Sequence, residues 1–436
     1  MNSSLIIIVA IALAIILGYC TKINTGFYAV SFAYLIGCYV LGYKPAEVTT
    51  MWPLKIFFVI LAVALFYNFA IINGTLEKLA MHILYRCRNM TALLPFIIFL
   101  IAVLIAGMGA GYFAVMAFLC PLGLLLCEKT GMSKVEGVIA VSFGALGGAN
   151  FMTSMSGLIF RGLMEGAGYG DQAFSYATSI FVMTMIVPVI LLLGLAVIGK
   201  KNRRQSLGEE IGKPDAFTQK QKINLWLIVA LIVIVLSAPV LHMMMPENGF
   251  AAMLNRNMDV GFVAFILSIV ALRFQLAEEK QVIAKVPWNT LIMICGVGML
   301  IEIAVRAGTI DLLAGWISGS IPVFFVPVVL TAIAGVMSFF SSTLGVVAPA
   351  LFPIVPALAG ATGISPMVLF TCIIMGSQST GGISPFSSGG SLALGSCATE
   401  EERNTLFGQL MFKATPAVFC IVAVIGFIFG IVYIII

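Results

Sequence analysis

Two stretches of fourteen residues decide how this chain folds: GALGGANFMTSMSG at 144–157 and GSQSTGGISPFSSG at 376–389. Their starting positions differ by 232, and each interrupts an apolar run with glycine, serine and threonine. A break of this composition inside an apolar helix exposes backbone groups that lipid cannot satisfy. The pair therefore predicts two broken membrane helices whose open backbone is buried in protein or lines a cavity.

The composition fits a membrane chain. Of 436 residues, 61% are hydrophobic and only 9% are charged, whereas a soluble domain has about 25% charged residues. This excludes a soluble enzyme, a nucleic-acid binder and a disordered protein. The nine cysteines form no CxxC motif and there are two histidines, so neither a zinc site nor a disulfide framework is expected. The apolar run at 4–20 has no basic residue before it, and we expect a retained first span.

The expected fold class is an all-α polytopic membrane protein with about ten transmembrane helices and two re-entrant hairpins. A spanning helix needs about 20 apolar residues. The ten predicted spans are 4–20, 25–43, 53–73, 133–166, 173–199, 224–246, 258–274, 288–306, 364–397 and 412–436. The runs 92–127 and 321–360 have Gly- or Ser-rich centres between short apolar arms of about 13–17 residues, so each is predicted to be a hairpin.

Lys and Arg residues agree with this count. With both termini outside and both hairpins returning to their side of entry, 18 lie inside and 5 outside. That distribution follows the positive-inside rule. We therefore expect a multi-pass protein of the cell (inner) membrane, in contact with the lipid bilayer.

Three landmarks recur at a nearly constant offset, which predicts an internal repeat. Asn73-Gly74-Thr75-Leu76-Glu77-Lys78-Leu79-Ala80 matches residues 307–314, Cys120-Pro121 matches Phe352-Pro353, and the two broken stretches match each other. Each half holds five spans, an odd number, so the second half is expected to be inverted. Inverted repeats with paired broken helices are typical of secondary transporters.

The breaks and hairpin tips supply the candidate site, which carries no Asp, Glu, Lys or Arg. Free N–H ends of half-helices favour anions and free C=O ends favour cations. The substrate-binding candidates are Asn150, Thr153, Ser154, Ser156, Ser342, Thr343, Thr380, Ser384, Ser387 and Ser388. The ion-binding candidates are Gly107, Gly109, Gly111, Gly147, Gly148, Ser341, Ser379 and Gly381. We expect the two breaks to meet near the membrane midplane and to bind a small anion with a compensating cation, Na⁺ more readily than a proton.

Plainer interpretations stand beside this one. Small residues in membrane helices often serve close packing. Arg161 follows the first break and could pair with a substrate carboxylate, although an interfacial arginine is favoured. Glu302 and Arg306 have the spacing of an ion pair along one helix. A channel usually has charged rings or a repeated filter, and an intramembrane enzyme needs a nucleophile–base pair or metal ligands. Neither pattern is found in the sequence, and no cofactor or nucleic-acid partner is expected.

Lys22-Ile23-Asn24-Thr25-Gly26 and the segment 73–80 resemble the N-terminal domain of MatC-type malonate/dicarboxylate carriers. That family is similar to the ion-transporter superfamily, which includes divalent-anion/sodium symporters and the large membrane subunits of TRAP transporters. The resemblance implies a dicarboxylate such as malonate or a C4-dicarboxylate, an elevator mechanism and a homodimer. A TRAP-type subunit that needs a soluble binding protein, or a carrier of another small anion, is the alternative. The first tip, Gly107–Gly111, departs from the Ser-Asn-Thr pattern of the symporters.

The resemblance also implies how the chain divides. Scaffold spans are expected at 1–73 and 222–306, and hairpin and broken-helix transport parts at 92–199 and 321–436. Interfacial arms are expected at 74–91 and 307–320, and a cytoplasmic linker at 200–221.

Overall fold

The computed structural model describes residues 3–90, 93–199, 212–245 and 247–435. These residues form helices and connecting segments, without a strand among them. The helices, in chain order, are α1 (Ser3–Thr21), α2 (Thr25–Tyr39), α3 (Pro45–Thr50), α4 (Leu54–Ile72), α5 (Thr75–Arg86), α6 (Leu94–Ile105), α7 (Gly111–Thr130), α8 (Lys134–Ala149), α9 (Met155–Gly166), α10 (Ala173–Gly199), α11 (Gln219–Met244), α12 (Gly249–Asn257), α13 (Val260–Arg273), α14 (Glu279–Ala284), α15 (Trp288–Arg306), α16 (Thr309–Ser320), α17 (Val326–Phe340), α18 (Ala348–Leu351), α19 (Val355–Thr362), α20 (Pro366–Gly381), α21 (Ser388–Gly395), α22 (Glu400–Gln409) and α23 (Thr415–Ile435).

The described residues contain nine helical stretches long and apolar enough to cross a membrane, or ten if α12 and α13, bent by 74°, form one span. This agrees with the predicted number of about ten. The individual helices differ from the predicted spans. The two predicted broken spans divide into helices of 16 and 12 residues and of 16 and 8 residues. The return arms of both hairpins reach 20 residues, longer than the predicted 13–17. At 1.5 Å per residue, such an arm is about 30 Å long.

The chain divides into two compact units. The first unit comprises Met1–Phe57, Ile159–Val187 and Trp288–Ile436, and the second comprises Phe58–Leu158 and Pro188–Pro287. In the first unit, the rings of Phe160, Phe352 and Phe370 pack in series, with centroids 6.0 Å and 4.6 Å apart. In the second unit, Phe58 packs on Phe262 with centroids 4.8 Å apart. The division into scaffold and moving parts stays a prediction.

In the second unit the chain reverses between α6 and α7. Helix α6 runs parallel to α8. A Cβ on Gly144 would lie 2.6 Å from the Phe99 carbonyl oxygen, and four residues further along both helices Gly148 abuts the Val103 carbonyl in the same way. Helix α7 runs antiparallel to α8, because the start of α7 lies near Met155, beyond the end of α8, and the end of α7 packs on Gly137 near the start of α8. The reversal predicted within 92–127 is thus present at residues 106–111.

The first unit has the same arrangement in its own hairpin. Gly376 of α20 abuts the Thr331 carbonyl of α17, and the Thr380 hydroxyl donates to the Gly335 carbonyl at 2.7 Å. In both hairpins the partners lie 45 positions apart in sequence. Gly144 and Gly376 are matched by the offset of 232, as are Phe99 and Thr331. The shared spacing supports the predicted repeat at the level of each unit's internal contacts.

The two predicted interfacial arms are both helical, as α5 and α16. Each begins after a glycine in the left-handed region, Gly74 at φ 69° and Gly308 at φ 70°, a conformation that favours glycine. One face of α5 is covered by protein, because Leu76, Ala80 and Leu84 are buried. Placement of the arms on a membrane surface remains a prediction.

Two connections differ from the prediction. Of the predicted linker 200–221, residues 200–211 lie outside the described residues, and helix α11 begins at Gln219, five residues earlier than its predicted span. Thr218 explains that start, since its hydroxyl accepts a hydrogen bond from the Gln221 N–H and completes a capping box. The segment before the last span, predicted as a loop, is helix α22, which Thr399 caps through the Glu402 N–H.

Candidate functional site

The first break spans residues 150–154, between α8 and α9. The Asn150 N–H still bonds to the carbonyls of Leu146 and Gly147, and the Ser154 N–H bonds to the Phe151 carbonyl at 2.8 Å. The break is therefore a compact turn rather than an open loop. All four predicted polar side chains of this stretch are buried: Asn150, Thr153, Ser154 and Ser156.

This break is bonded to the first hairpin tip. The Ser154 hydroxyl donates to the Ala106 carbonyl at 2.8 Å. Gly107 faces Gly148, whose carbonyl oxygen would be 3.5 Å from a Cβ at Gly107, and Gly111 faces Met155. The structure thus brings together the tip and break residues that the sequence predicted for the first half.

The tip owes its shape to two glycines in the left-handed region, Gly109 at φ 95° and Gly111 at φ 71°. Side-chain-bearing residues rarely adopt these angles. The ring of Tyr67, from α4, lies directly on Gly109, in space that any Cβ would occupy. Tyr67 was not among the site residues predicted from the sequence. The feature that could have indicated it is the polar pair Tyr67-Asn68 inside an otherwise apolar helix.

Two buried hydroxyls of this site face each other. The Tyr67 hydroxyl lies close to that of Thr153, and neither bonds to any other residue in the described part of the chain. Both side chains are at most 1% exposed. Buried hydroxyls normally have a partner, so this pair stands out from the other hydroxyls of the site.

The second break spans residues 382–387, between α20 and α21, with Pro385 at its centre. Its hydroxyls bond to backbone. Ser384 donates to the Phe339 carbonyl at 3.1 Å, and Ser387 donates to the Ser384 carbonyl at 2.7 Å while accepting from the Gly390 N–H. Of the remaining predicted residues, Ser379 donates to the Gly376 carbonyl at 2.6 Å, whereas Ser388 is exposed at the first turn of α21.

The second tip is built from hydroxyls. Ser341 donates to the Met337 carbonyl at 2.6 Å, and Ser342 accepts from the Gly345 N–H at 3.1 Å. Thr343 bonds to Ser338 at 3.0 Å. Gly381, at the end of α20, is too close to the Ser338 hydroxyl to accept a Cβ. The second tip and the second break are therefore also joined, through Ser384 to Phe339 and through Gly381 to Ser338.

The chain resembles known proteins both in sequence and in fold. Residues 1–149 match the family model "Dicarboxylate carrier protein MatC N-terminus". The fold is similar to the crystal structure of the Alcanivorax borkumensis YdaH transporter, with a TM-score of 0.55 and 16% identity over 91% of this chain and 87% of that one. No curated protein matches the sequence.

The MatC_N match confirms the resemblance predicted from the N-terminal motifs, and it covers the first tip and the whole of α8. The YdaH likeness confirms the predicted all-helical, polytopic fold class. The chain is therefore a multi-pass membrane protein, and the family match indicates a carrier rather than an enzyme. In the described part of the chain, no group of three or more His, Cys, Asp or Glu side chains is placed to hold a metal ion.

Two charged positions singled out by the sequence have clear surroundings. The Arg306 Nε donates to Glu302 at 2.8 Å, the ion pair that the spacing predicted. Arg161 lies over the ring of Phe174, 5.6 Å from its centroid. A cation on an aromatic face suits the structural interpretation of Arg161 better than a substrate contact.

Proposed function

We propose that the protein is a secondary active transporter of a small organic dianion, a dicarboxylate such as malonate or a C4-dicarboxylate. The observation that carries this proposal is that each broken helix is bonded to the tip of its own hairpin, in a chain whose first 149 residues match the dicarboxylate carrier MatC N-terminus. Broken helices of this kind supply binding groups for anions and ions in transporters.

The hairpin tips and helix breaks are uncharged, although the proposed substrate is a dianion. They offer side-chain hydroxyls, one side-chain amide and the backbone groups of glycine, with no ionised group. A dianion buried without compensation is very costly. Cotransported cations would offset that cost, and Na⁺ is favoured over H⁺ because neither break carries a carboxylate to hold a proton.

Movement by an elevator mechanism, with the hairpins and broken helices sliding against a dimeric scaffold, belongs to this proposal. So does the orientation with both termini outside the inner membrane. Single cysteines in place of Lys213 and Arg256 provide a test, in a variant whose own cysteines are replaced. Impermeant maleimide should label the second position in intact cells and the first only in inverted vesicles; the reverse pattern would refute the orientation.

The direct experiment measures uptake of labelled malonate and succinate into proteoliposomes containing the purified chain. We expect saturable uptake that an inward Na⁺ gradient accelerates, with trans-stimulation by internal substrate. Empty liposomes and a proton gradient without Na⁺ serve as controls. Absence of uptake for every dicarboxylate in every gradient would refute the proposal, whereas uptake only with an added soluble receptor would favour the TRAP-type alternative.

A further inference from the structure

Helices α4 and α5 are joined by only two residues, Asn73 and Gly74. Gly74 lies in the left-handed region, with φ 69° and ψ 19°, and a Cβ added to it would meet no atom of the described residues within 4 Å. Hinges are usually a few residues at the ends of helices that absorb large changes of φ and ψ. Gly74 fits that description, because glycine has the widest choice of backbone angles and its surroundings are open.

On one side of this hinge, the start of α11 is attached to the end of α4. Ile223 and Leu227 of α11 pack against the apolar cluster that contains Phe69 of α4. The Gln221 Nε2 donates to the Asn73 carbonyl at 3.0 Å. The first turns of α11 are therefore fixed to the residues that precede Gly74.

On the other side of the hinge, the residues before α11 reach helix α5. His82 of α5 stacks on Phe217, with ring centroids 4.9 Å apart and 20° between the ring planes. The His82 Nε2–H donates to the Asp215 carbonyl at 3.0 Å, since a carbonyl oxygen can only accept. Residues 212–218, which run in an irregular path up to the first turn of α11, are called the strap.

The strap and the start of α11 together span the hinge, with Gln221 bonded before Gly74 and His82 bonded after it. His82 lies eight residues beyond Gly74, about 12 Å along the helix axis. A turn of α5 by about 15° about Gly74 would move His82 by about 3 Å, which is enough to break its hydrogen bond. Helix α5 cannot turn about Gly74 while the strap stays in place.

The contacts of the strap are strong enough to hold it and weak enough to release it. His82 and Phe217 are both half-buried. One stacked ring pair and one hydrogen bond each contribute modestly, so together they favour the docked strap about 5–30-fold. An undocked population of about 3–17% is therefore expected at equilibrium.

We propose that the strap is a conformational device that holds the first arm, α5, in its present orientation and is released when α5 turns about Gly74 during transport. His82 is the residue of the arm that docks the strap. This inference rests on the proposed function, in which the first arm suspends the first hairpin and turns as the hairpin moves.

Spin labels on the purified protein test whether His82 docks the strap. Nitroxides are attached at Arg86→Cys and Ala216→Cys, both exposed positions, in a variant whose own nine cysteines are replaced. The docked strap should give one strongly coupled population, and His82→Ala should convert about half of it or more into a weakly coupled one. The matched control is Phe265→Ala, which loses a ring stacked 5.6 Å from that of Phe58, away from the strap, and should leave the coupling unchanged.

Two milder substitutions separate the contributions of the ring and the donor. His82→Phe keeps a ring for stacking and loses the donor, whereas His82→Gln keeps a donor and loses the ring. Each should shift the ratio of docked to undocked strap by about two- to tenfold, less than His82→Ala does. A variant that merely loses stability would not give this graded order.

A cross-link tests whether the strap must release during transport. In proteoliposomes with His82→Cys/Phe217→Cys in the same background, a short bifunctional thiosulfonate fixes the strap to α5. We expect malonate uptake to fall about tenfold or more and to recover on reduction, because a conformational step that cannot proceed limits turnover. The control pair Asn73→Cys/Gln221→Cys links α4 to α11 without crossing Gly74, so its uptake should be the same before and after reduction.

Each contrary result has a distinct meaning. If His82→Ala leaves the spin coupling as strong as in the unsubstituted protein, His82 does not hold the strap and the proposal is wrong. If cross-linked His82→Cys/Phe217→Cys transports malonate as fast as its reduced form, the strap is a fixed part of the fold and its release is refuted. If the unsubstituted protein transports no dicarboxylate, the proposed function fails by itself, and the spin labels still decide whether the strap docks through His82.

Discussion

The contact between α6 and α8 gives a sharp prediction at Gly144. A Cβ there would lie 2.6 Å from the Phe99 carbonyl oxygen and 2.8 Å from the Ala102 Cβ, whereas ordinary contacts begin at 3.4 Å. The Gly144→Ala variant must therefore separate the two helices by about 0.8 Å. Overpacking of this size costs about 1–3 kcal/mol.

The same displacement acts on the site. The Ser154–Ala106 hydrogen bond is 2.8 Å long, and a rigid shift of α6 by about 0.8 Å would stretch it beyond bonding distance. Its loss adds about 0.5–1.5 kcal/mol, so we expect a total destabilisation of about 1.5–4.5 kcal/mol and reduced malonate uptake.

Thermal unfolding of purified Gly144→Ala measures the effect, with Gly194→Ala as the control. Gly194 lies in α10 with nothing within 4 Å of its added Cβ, and Gly→Ala in a helix gains up to about 1 kcal/mol. The control should thus be as stable as the unsubstituted protein or more so. If both variants unfold at the same temperature, the close approach of α6 and α8 described here is wrong.

Two further substitutions test the tips. Gly109→Ala should destabilise the protein more than Gly111→Ala, because both glycines have positive φ but only Gly109 lies under the Tyr67 ring; equal melting temperatures would contradict that packing. Ser384→Ala removes the bond that joins the second break to the Phe339 carbonyl and the bond that the hydroxyl accepts from the Phe386 N–H inside the break. It should cost about 1–3 kcal/mol, measured by thermal unfolding. The control Ser396→Ala, which loses one bond within α21, should cost less, and a reversed order would refute the role given to Ser384.

The breaks and tips could be predicted because their causes are local. A run of glycine and serine weakens a helix wherever it stands, and Pro385 removes a backbone donor in the second break. The offset of 232 between the two stretches predicted a repeat. In the structure the two halves share a spacing of 45 positions between Gly144 and Phe99 and between Gly376 and Thr331.

Other features depend on contacts between distant segments and leave little trace in sequence. The first hairpin's second arm was predicted too short because its apolar run ends at Cys127, before Glu128 and Lys129, whereas α7 begins at Gly111 of the tip and continues to Thr130. Tyr67 lies 42 positions from Gly109, and no periodicity relates them. Its importance depends on a glycine conformation, φ 95° at Gly109, that composition alone does not fix.

The buried hydroxyls of the two halves differ in their hydrogen bonds. In the second half, the hydroxyls of Thr380, Ser384 and Ser387 all donate to backbone carbonyls, so a ligand that takes them must first break bonds that hold the break to its hairpin. In the first half, the Tyr67 and Thr153 hydroxyls bond to no backbone carbonyl of the described residues. It follows that Ser384→Ala should lower the melting temperature more than Tyr67→Phe, and equal melting temperatures would refute this difference.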